Sequence, residues 1–457
     1  MSNQEFISAS EFCDLVTDGT HDSPKKTETG IKLVTSKNIV GGSLDLTFAY
    51  FISELDARNI NKRSQVHRND VLLSMIGTVG EVALIEKEPD FVIKNVGLLK
   101  NSDSKKARWL YYYLKSPIAQ NLIKDRLRGT TQQYIPLGEL RNLPILKPNS
   151  EEHLQNTIEQ LSSLDKKIQL NTQINQTLEQ IAQALFKSWF VDFDPVRAKV
   201  QALSDGLSLE QAELAAMQAI SGKTPEELTA LSQTQPERYA ELAETAKAFP
   251  CEMVEVDGVE VPKGWELKAL SDLGQIICGK TPSKSNKEFY GDDVPFIKIP
   301  DMHNQVFITQ TTDNLSVAGA NSQSKKYIPP KSICVSCIAT VGLVSITYKP
   351  SHTNQQINSI IPNDEQTSEF LYLSLKQSSM TKYLKDLASG GSATLNLNTS
   401  TFSKIEIMTP SKEIIDIFHN KVVYAFEKVL SNSIENKRLA EIRDLLLPNL
   451  LNGESDE

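Results

Sequence analysis

Two short stretches of the chain contain residue types with a recognised chemistry. Residues 274–281, GQIICGKT, satisfy GxxxxGK[ST], the pattern of a loop that binds nucleotide phosphates. Cys334 and Cys337 form a CxxC pair, which is typical of zinc sites and redox motifs. Both patterns are short enough to arise by chance. A phosphate loop must also lead into a helix whose N-terminus faces the phosphates, and a structural zinc site needs a second pair of ligands.

The residues around both motifs argue against such sites. Thr281 is followed by Pro282 and the turn-rich stretch SKSNKEFYGDD, and proline disfavours the α conformation of the residue before it. The CxxC pair lies in SICVSCIATVGLVSITYK, an apolar, β-branched run typical of a buried strand, without a second CxxC or CxxH pair. The six histidines include no HxxxH pair. We therefore expect no ATP site, no bound metal and two core cysteines.

The composition indicates a soluble protein with several packed units. The 457 residues, 40% hydrophobic and 23% charged, are enough for two to four units. No run of 18 or more apolar residues occurs, and the start MSNQEFISASEFCD lacks the basic and apolar regions of an export signal. Five scattered cysteines fit reduced thiols better than a disulfide framework. We expect a cytoplasmic location and no membrane partner.

The net charge of −9 is unevenly distributed along the chain. Residues 1–150 contain 20 Lys and Arg against 17 Asp and Glu, and residues 263–411 contain 14 against 12. Residues 196–262, by contrast, contain 5 against 12. Two mildly basic blocks therefore alternate with acidic connectors, which allows a phosphate-facing surface on the blocks.

The two basic blocks repeat one pattern. NDVLLSMIGTVGEVALI (69–85) aligns with KSICVSCIATVGLVSIT (331–347), and RGTTQQYIPLGELRNLPILKP (128–148) aligns with GGSATLNLNTSTFSKIEIMTP (390–410). In this alignment Gly19 and Thr20 take the places of Gly279 and Lys280, so the first copy lacks the phosphate-loop pattern. We predict two copies of one mixed α/β domain, at 1–150 and 263–411.

A long helical pattern follows each copy. Apolar residues recur at spacings of three and four over 151–192 and 412–450, where we expect Pro448 to end the second helix. The predicted apolar stripes include Leu154, Ile158, Leu161, Ile181, Phe418, Val422, Phe426 and Ile442. We predict that the two helices pair as a coiled coil in which Asn171 and Asn175 fix the register; the alternative is that each packs on its own lobe. Residues 193–262 are predicted as an acidic connector of short solvated helices, and 451–457 as a flexible tail.

These features together resemble the specificity subunit of type I restriction-modification enzymes over nearly the whole chain. The resemblance depends on the duplication and on paired motifs: DGTHDSP (18–24) with GKTPS (279–283), GTVG (77–80) with ATVG (339–342), and PILKP with EIMTP. NQQIN (354–358) and the string ALFKSWFVDFDPVRAK (184–199) are further matches, and the string is the most specific of all. A PKGWE-like opening, present at 262–266, is missing from the first lobe.

The resemblance implies an α+β fold with two similar mixed α/β target recognition domains, joined by two long antiparallel helices in a coiled coil. Each domain would read one half of a split site in double-stranded DNA. The helices would set the spacing and dock two adenine methyltransferase subunits, which restriction subunits with translocase and nuclease activity join. S-adenosylmethionine, ATP and Mg would then serve the partner subunits, whereas this chain would bind no cofactor, catalyse nothing and occupy a bacterial or archaeal cytoplasm. Consistently, the sequence contains no NPPY or NPPF methyltransferase signature.

Candidate DNA contacts are polar loop residues that suit phosphates or base edges. The segment KDRLRGTTQQY (124–134) is the strongest candidate, because its cations suit phosphates and its Thr and Gln side chains suit bases. The first-lobe candidates are Thr20, His21, Lys37, Asn38, Lys124, Arg126, Arg128, Thr130, Thr131, Gln132 and Gln133. The second-lobe candidates are Lys280, Thr281, Lys284, Lys298, Gln355, Gln356, Ser392, Thr394 and Asn396. Each could instead be an ordinary turn residue, and His21 could simply cap its loop.

Three functions are compatible with the sequence. The first is a non-catalytic subunit that recognises DNA and assembles a restriction-modification complex. The second is a stand-alone, duplicated DNA-binding regulator without enzyme partners. The third, a P-loop ATPase, is disfavoured by the duplication.

Overall fold

The computed structural model describes residues 5–47, 49–256, 258–389 and 394–453. Contacts divide the chain into two compact units, one of Met1–Ile168 with Arg438–Glu457 and one of Gln169–Lys437. Each unit contains one lobe and a part of each long helix.

The described residues of the first lobe form short strands and five α-helices. The strands are β1 (Phe6–Ser8), β2 (Leu15–Asp18), β3 (Ile31–Val34), β4 (Ile39–Val40), β5 (Ser43–Leu44), β6 (Tyr50–Ile52), β7 (Val71–Ser74), β8 (Val82–Leu84), β9 (Phe91–Ile93), β10 (Val96–Lys100) and β11 (Pro144–Leu146). The helices are α1 (Ala9–Phe12), α2 (Glu54–Ser64), α3 (Ser104–Lys115), α4 (Pro117–Lys124) and α5 (Leu137–Arg141). Two sheets, in the strand orders β2-β10-β7-β8 and β6-β3-β9, form the lobe's framework. Helix α3 packs on the larger sheet because its Trp109 and Leu110 share a core with Val71 and Leu73.

The connector between the lobes is a small helical module. After the long helix α6 (Glu151–Phe190) come α7 (Asp194–Ser204), α8 (Leu209–Ser221), α9 (Pro225–Thr234), α10 (Pro236–Ala248) and a hairpin of β12 (Met253–Val256) and β13 (Val259–Pro262). The prediction of short solvated helices was incomplete, because Met217, Leu228 and Leu242 form a small core between them. Lys199 is also buried, and its Nζ donates to the Phe249 carbonyl at 2.7 Å.

The second lobe repeats the framework of the first. Its strands are β14 (Glu266–Ala269), β15 (Gly274–Cys278), β16 (Tyr290–Ile297), β17 (Phe307–Ile308), β18 (Asp313–Leu315), β19 (Ile333–Ser336), β20 (Val344–Thr347), β21 (His352–Thr353), β22 (Ile357–Pro362) and β23 (Glu406–Thr409). Its helices are α11 (Leu270–Leu273), α12 (Val317–Asn321), α13 (Ser368–Lys376), α14 (Ser378–Ala388) and α15 (Thr399–Ser403). The sheet orders β15-β22-β19-β20-β17 and β18-β16-β21 match those of the first lobe, with β17 as an added edge strand. The predicted duplication is therefore confirmed.

The strand connection at GTVG and ATVG shows how closely the copies agree. Gly77 and Gly80 have positive φ angles of 82° and 99°, and Ala339 and Gly342 have φ angles of 63° and 95°. The turn therefore needs a left-handed residue at both ends in each lobe. Ala339 adopts this conformation at an energetic cost that a glycine would avoid.

The second long helix, α16 (Lys412–Asn452), pairs antiparallel with α6 inside each unit. In the first unit, Leu154 and Ile158 of α6 share a core with Leu447 and Leu451 of α16. In the second unit, residues near the end of α6 meet residues near the start of α16, as in the packing of Phe186 on Phe418. The predicted fold class, including the antiparallel helix pair, is confirmed. Because α6 contributes to the cores of both units, the alternative in which each helix packs only on its own lobe is wrong.

Asparagines form a polar layer within the helix pair of the second unit. Asn171 is buried and its Nδ2 donates to Glu435 and Asn436, at 2.8 and 2.9 Å. Asn175 donates to the Val429 carbonyl at 3.3 Å and to Ser433 at 3.2 Å, and its Oδ1 accepts from Asn432 at 2.8 Å. The two interruptions of the apolar stripe are thus bonded across the helix pair.

Three details of the predicted helices were wrong. Helix α16 does not end at Pro448 but continues to Asn452. Leu451, which was assigned to the flexible tail, is only 1% exposed. The helix continues past Pro448 because burial of this turn in the first unit's core offsets the hydrogen bond that proline cannot make. Residues 454–457 lie outside the described residues. Ile181 and Ile442 are 58% and 46% exposed, so neither belongs to the buried stripe.

Candidate DNA interface

A tight turn leaves the last residue of β2 and carries Gly19, Thr20 and His21 to the surface of the first lobe. The Gly19 amide donates to the Val96 carbonyl at 2.9 Å, and the Thr20 amide donates to the Ile93 carbonyl at 3.2 Å. A Cβ at Gly19 would lie 2.5 Å from the Ile93 oxygen, so only glycine permits this approach. The turn therefore presents the next two side chains beside the end of β9.

The exposed His21 ring is held from both sides. Its Nδ1 lies 2.8 Å from the Asn95 Oδ1, and its Nε2 lies 3.0 Å from a carboxylate oxygen of the buried Asp18. Lys94 reaches the same loop and donates to Ser23. These contacts give His21 a defined orientation at the surface, beside two polar residues that the sequence analysis did not select, Lys94 and Asn95.

The second lobe builds the same turn with other side chains. The Gly279 amide donates to the Ile357 carbonyl at 3.1 Å, and the Lys280 amide donates to the Thr353 carbonyl at 3.0 Å. A Cβ at Gly279 would lie 2.2 Å from the Asn354 oxygen. The GKT sequence thus follows a strand, and its amides bond to the neighbouring strand end. After the loop come a turn and a short 3-10 segment, Lys287–Phe289. This is the geometry of a strand-to-loop connection and not that of a phosphate loop.

Several predicted second-lobe residues meet at this turn. The Thr281 hydroxyl donates to the Gln355 Oε1 at 2.6 Å, and Gln355 and Lys280 are exposed. The Gln356 Oε1 accepts from Asn354 at 3.0 Å. Lys284 is exposed on the same loop. Cations and amides therefore share one surface, which suits contacts to phosphates and base edges.

A second candidate surface of the first lobe is a hairpin loop. Arg128 and Tyr134 exchange backbone hydrogen bonds of 2.8 and 2.9 Å, which brings the exposed residues of the loop to its tip. Those residues are Thr130, Thr131, Gln132 and Gln133. The loop is fixed beside the GTVG turn, because the Ile135 amide donates to the Met75 carbonyl at 3.0 Å.

The cations that flank this loop differ in availability. Arg128 forms an ion pair with Glu139 at 2.7 Å, and one guanidinium nitrogen of Arg126 donates to the Leu122 carbonyl at 2.8 Å. Lys124 is exposed at the end of α4. Lys124 is therefore an exposed cation at the helix end, whereas a partner within the lobe holds each arginine in one direction.

The matching segment of the second lobe lies beside the ATVG turn. The Leu397 amide donates to the Cys337 carbonyl at 2.8 Å, and the Ala339 amide donates to the Leu395 carbonyl at 2.9 Å. Thr394 and Asn396 are exposed. Ser392, the third candidate of this segment, lies outside the described residues.

Three further candidates occupy corresponding loops after β3 and β16. Lys37 is exposed. Asn38 is buried; its Oδ1 accepts from the Thr35 amide at 2.9 Å and its Nδ2 donates to the Asp45 carbonyl at 3.0 Å, so the structure gives it a role in closing the loop. Lys298 forms an ion pair with Asp313 and is half-buried. Of the three, Lys37 has the most accessible charge.

Cys334 and Cys337 lie in the sheet core of the second lobe. Both are buried, and burial raises the pKa of the Cys334 thiol to about 12 and that of Cys337 to about 11. Thiols with such pKa values stay protonated at neutral pH and are poor metal ligands or nucleophiles. Within the described ranges, no group of three or more His, Cys, Asp or Glu side chains could hold a metal ion.

The lobes that carry these paired loops match a known protein family. A family model described as "Type I restriction modification DNA specificity domain" matches residues 1–180 and 262–444. The chain belongs to this family. Specificity subunits are the non-catalytic DNA-recognition component of type I restriction-modification systems.

The chain is similar to two curated specificity subunits and to one solved S-subunit structure. The specificity subunit of the type I restriction enzyme HindI from Haemophilus influenzae is 81% identical over 338 residues, which are 73% of this chain and 73% of that protein. The MjaIX specificity subunit from Methanocaldococcus jannaschii is 33% identical over 192 residues, 42% of this chain and 44% of that one. The crystal structure of an S subunit from M. genitalium aligns with 98% of this chain and 97% of its own, at 15% identity and a TM-score of 0.49.

The family-specific string ALFKSWFVDFDPVRAK has a structural explanation in this specificity subunit. Trp189 packs edge-on against Phe249 with ring centroids 5.0 Å apart, and Phe190 contacts both Trp265 and Phe370. These rings join α6, the connector and the second lobe into the core of the second unit.

No helix among the described residues is long and apolar enough to cross a membrane.

Proposed function

We propose that this specificity subunit reads a bipartite site in double-stranded DNA, with one half-site for each lobe. The observation that carries the proposal is the pair of equivalent turns, Gly19–His21 and Gly279–Thr281, which each lobe holds against the same neighbouring strand end. A shared framework with different side chains suits two readers that use one geometry for two sequences. Thr, Gln, Lys and Arg side chains on such loops match the donors and acceptors of base edges and phosphates.

The long helices act in this proposal as a spacer and as the docking site for enzyme subunits. A spacer of constant length fixes the number of unread base pairs, since successive major grooves recur on one face of DNA about every 34 Å. Apolar side chains also remain on the outside of the helices: Leu170 is 51%, Tyr424 76% and Leu445 75% exposed. In this proposal these exposed side chains contribute to the contacts with the docked subunits.

The partners are two DNA methyltransferase subunits, joined by restriction subunits. In the assembled complex S-adenosylmethionine, ATP and Mg serve those partners, and the specificity subunit supplies DNA recognition alone. The location that follows from such a complex is the cytoplasm of a bacterium or archaeon.

Methylome sequencing of a host with and without the gene tests the proposal. The expected result is a split methylated motif that appears only with the gene. Replacing residues 263–411 by the corresponding lobe of a relative should change one half of the motif and leave the other half unchanged; alteration of both halves would contradict independent reading. Copurification distinguishes the stand-alone regulator, which should bind DNA without bringing down a methyltransferase.

A further inference from the structure

The first lobe contains a buried carboxylate that holds two exposed side chains. Asp18, the last residue of β2, is 2% exposed. Its Oδ1 pairs with the guanidinium of Arg63 in the last turn of α2, and its Oδ2 lies 3.0 Å from the His21 Nε2. The two partners come from different segments and converge on one carboxylate.

This arrangement differs from an ordinary structural ion pair in the same lobe. Lys100 and Asp70 pair at 2.9 Å, and both side chains are largely buried, at 23% and 2% exposure. The Arg63 and His21 side chains are 53% and 63% exposed although their common partner is buried. Asp18 therefore fixes the direction of two side chains that solvent, or a ligand, can still reach.

The surroundings of Arg63 leave room for a ligand. A cavity of about 380 Å³ is lined by Thr20, Asp22, Asn59 and Arg63, among other residues. It joins the Gly19–His21 turn to the end of α2. Arg63 was absent from the candidates selected from the sequence, yet it lines the same cavity as Thr20, which was selected.

We infer that Asp18 is a positioning residue that directs Arg63 toward a guanine of the first half-site. The inference rests on the proposed function. Arginine recognises guanine through two parallel hydrogen bonds to O6 and N7, which is the commonest specific contact in the major groove. A guanidinium held at one edge by a buried carboxylate loses less rotational freedom when its other edge binds the base. His21, fixed by Asp18 and Asn95, lies beside it as a second polar contact.

The second lobe lacks this device. In the β2–β10 pairing Asp18 lies opposite Gly97, and in the equivalent β15–β22 pairing Cys278 lies opposite Asn358. A cysteine at this position cannot hold an arginine as a carboxylate does. The effect of changing Asp18 or Arg63 is therefore confined to the first half-site.

The test uses the complete complex of the specificity and methyltransferase subunits and the motif found by methylome sequencing. Competition binding is measured for the parent motif and for each single base-pair change. Arg63→Ala should weaken binding to the parent site roughly 5- to 150-fold and abolish discrimination at one guanine of the first half-site. Arg63→Lys should restore affinity only in part, because lysine lacks the two-pronged geometry.

Arg58→Ala is the matched control. Arg58 lies on the same helix α2 and forms an ion pair of 3.1 Å with Glu54. Both side chains of this pair are exposed, so no buried carboxylate orients Arg58. Loss of this cation should leave the base preference unchanged. If Arg63→Ala behaves like Arg58→Ala, or weakens binding to all sequences equally, the inference is overturned.

Asp18→Asn tests the positioning role separately. It should reduce discrimination at the same guanine as Arg63→Ala does. The double variant should bind the parent site no more weakly than Arg63→Ala alone. A 7-deazaguanine at that position, which lacks the N7 acceptor, should weaken the parent complex and leave Arg63→Ala unaffected. A parent complex without any split-site preference would refute the proposed function, whereas a normal parent preference with no change in Arg63→Ala refutes this inference alone.

Discussion

We expect His352 to make the stability of the second lobe dependent on pH. The residue lies on β21, is 0% exposed, and neither ring nitrogen has a hydrogen-bond partner in the described part of the chain. The Tyr327 ring packs against it at 4.3 Å. Burial lowers the pKa of His352 from 6.5 to about 4, because the apolar surroundings disfavour the imidazolium.

The sign and size of the effect follow from this shift. At pH 7.5 and above the imidazole is almost entirely neutral in both states, so the folded protein keeps its full stability. As the pH falls, the unfolded chain binds a proton that the folded chain excludes, and stability is lost until the pH reaches the folded value of about 4. The loss is about 2 kcal/mol at pH 5 and about 3 kcal/mol at pH 4 or below, at 1.36 kcal/mol per pKa unit.

The first lobe suggests the substitution that removes this dependence. His352 pairs with Phe296, and in the equivalent pairing of the first lobe Val92 lies opposite Leu33. His352→Val should therefore be tolerated and should lose the extra acid sensitivity, while other titrating groups affect parent and variant alike.

Hydrogen exchange with mass spectrometry measures the prediction in the full-length protein. Opening free energies of peptides covering β21 are compared at pH 7.5 and pH 5 after correction for intrinsic exchange rates. The parent should lose about 2 kcal/mol more than His352→Val, and peptides covering β9 serve as the internal control. Equal losses in parent and variant would refute the assignment of the acid sensitivity to His352.

Two further predictions concern the ATVG turn of the second lobe and the hairpin loop between Arg128 and Tyr134 of the first. Ala339→Gly should stabilise the second lobe by roughly 1 kcal/mol, since the residue has a φ of 63° and Gly77 occupies the equivalent place; thermal denaturation would show the gain, and a lower melting temperature would contradict it. Gln132→Ala with Gln133→Ala should reduce discrimination at the first half-site roughly 5- to 150-fold without changing the melting temperature, because both side chains are exposed at the loop tip. Binding competition with single base-pair variants would measure this effect, and unchanged discrimination would remove the loop from the recognition surface.

The sequence predicted the framework of the fold, whereas the DNA contacts stay a prediction. Repeated blocks revealed two equivalent lobes because burial imposes the same apolar pattern wherever the same strands occur. Spacings of three and four predicted the helix pair, but they could not tell that Ile181 faces solvent. The contact between two helices is narrow, so only some of the apolar positions at these spacings are buried in it.

The residues of the proposed site that the sequence did not point to were missed for a common reason. Arg63 belongs to a helix, and 45 positions separate it from Asp18, so no local pattern connects them. Lys94 and Asn95 lie at a strand end that only the folded sheet brings next to the Gly19 turn. The one available signal was Asp18 itself, a carboxylate at the buried end of the strand Leu15–Asp18. Asn38 shows the converse case, because its side-chain amide, predicted as a DNA contact, bonds within the loop that contains it.

The asparagine layer has a consequence for how this architecture can change. Asn171 and Asn175 donate to particular partners on the facing helix, so sliding one helix along the other by a turn would separate these amides from those partners inside the seam. The pair therefore has one favoured alignment. Insertions here would be tolerated only if both helices gained the same whole number of helical repeats. The length of the helix pair can therefore change only in discrete steps.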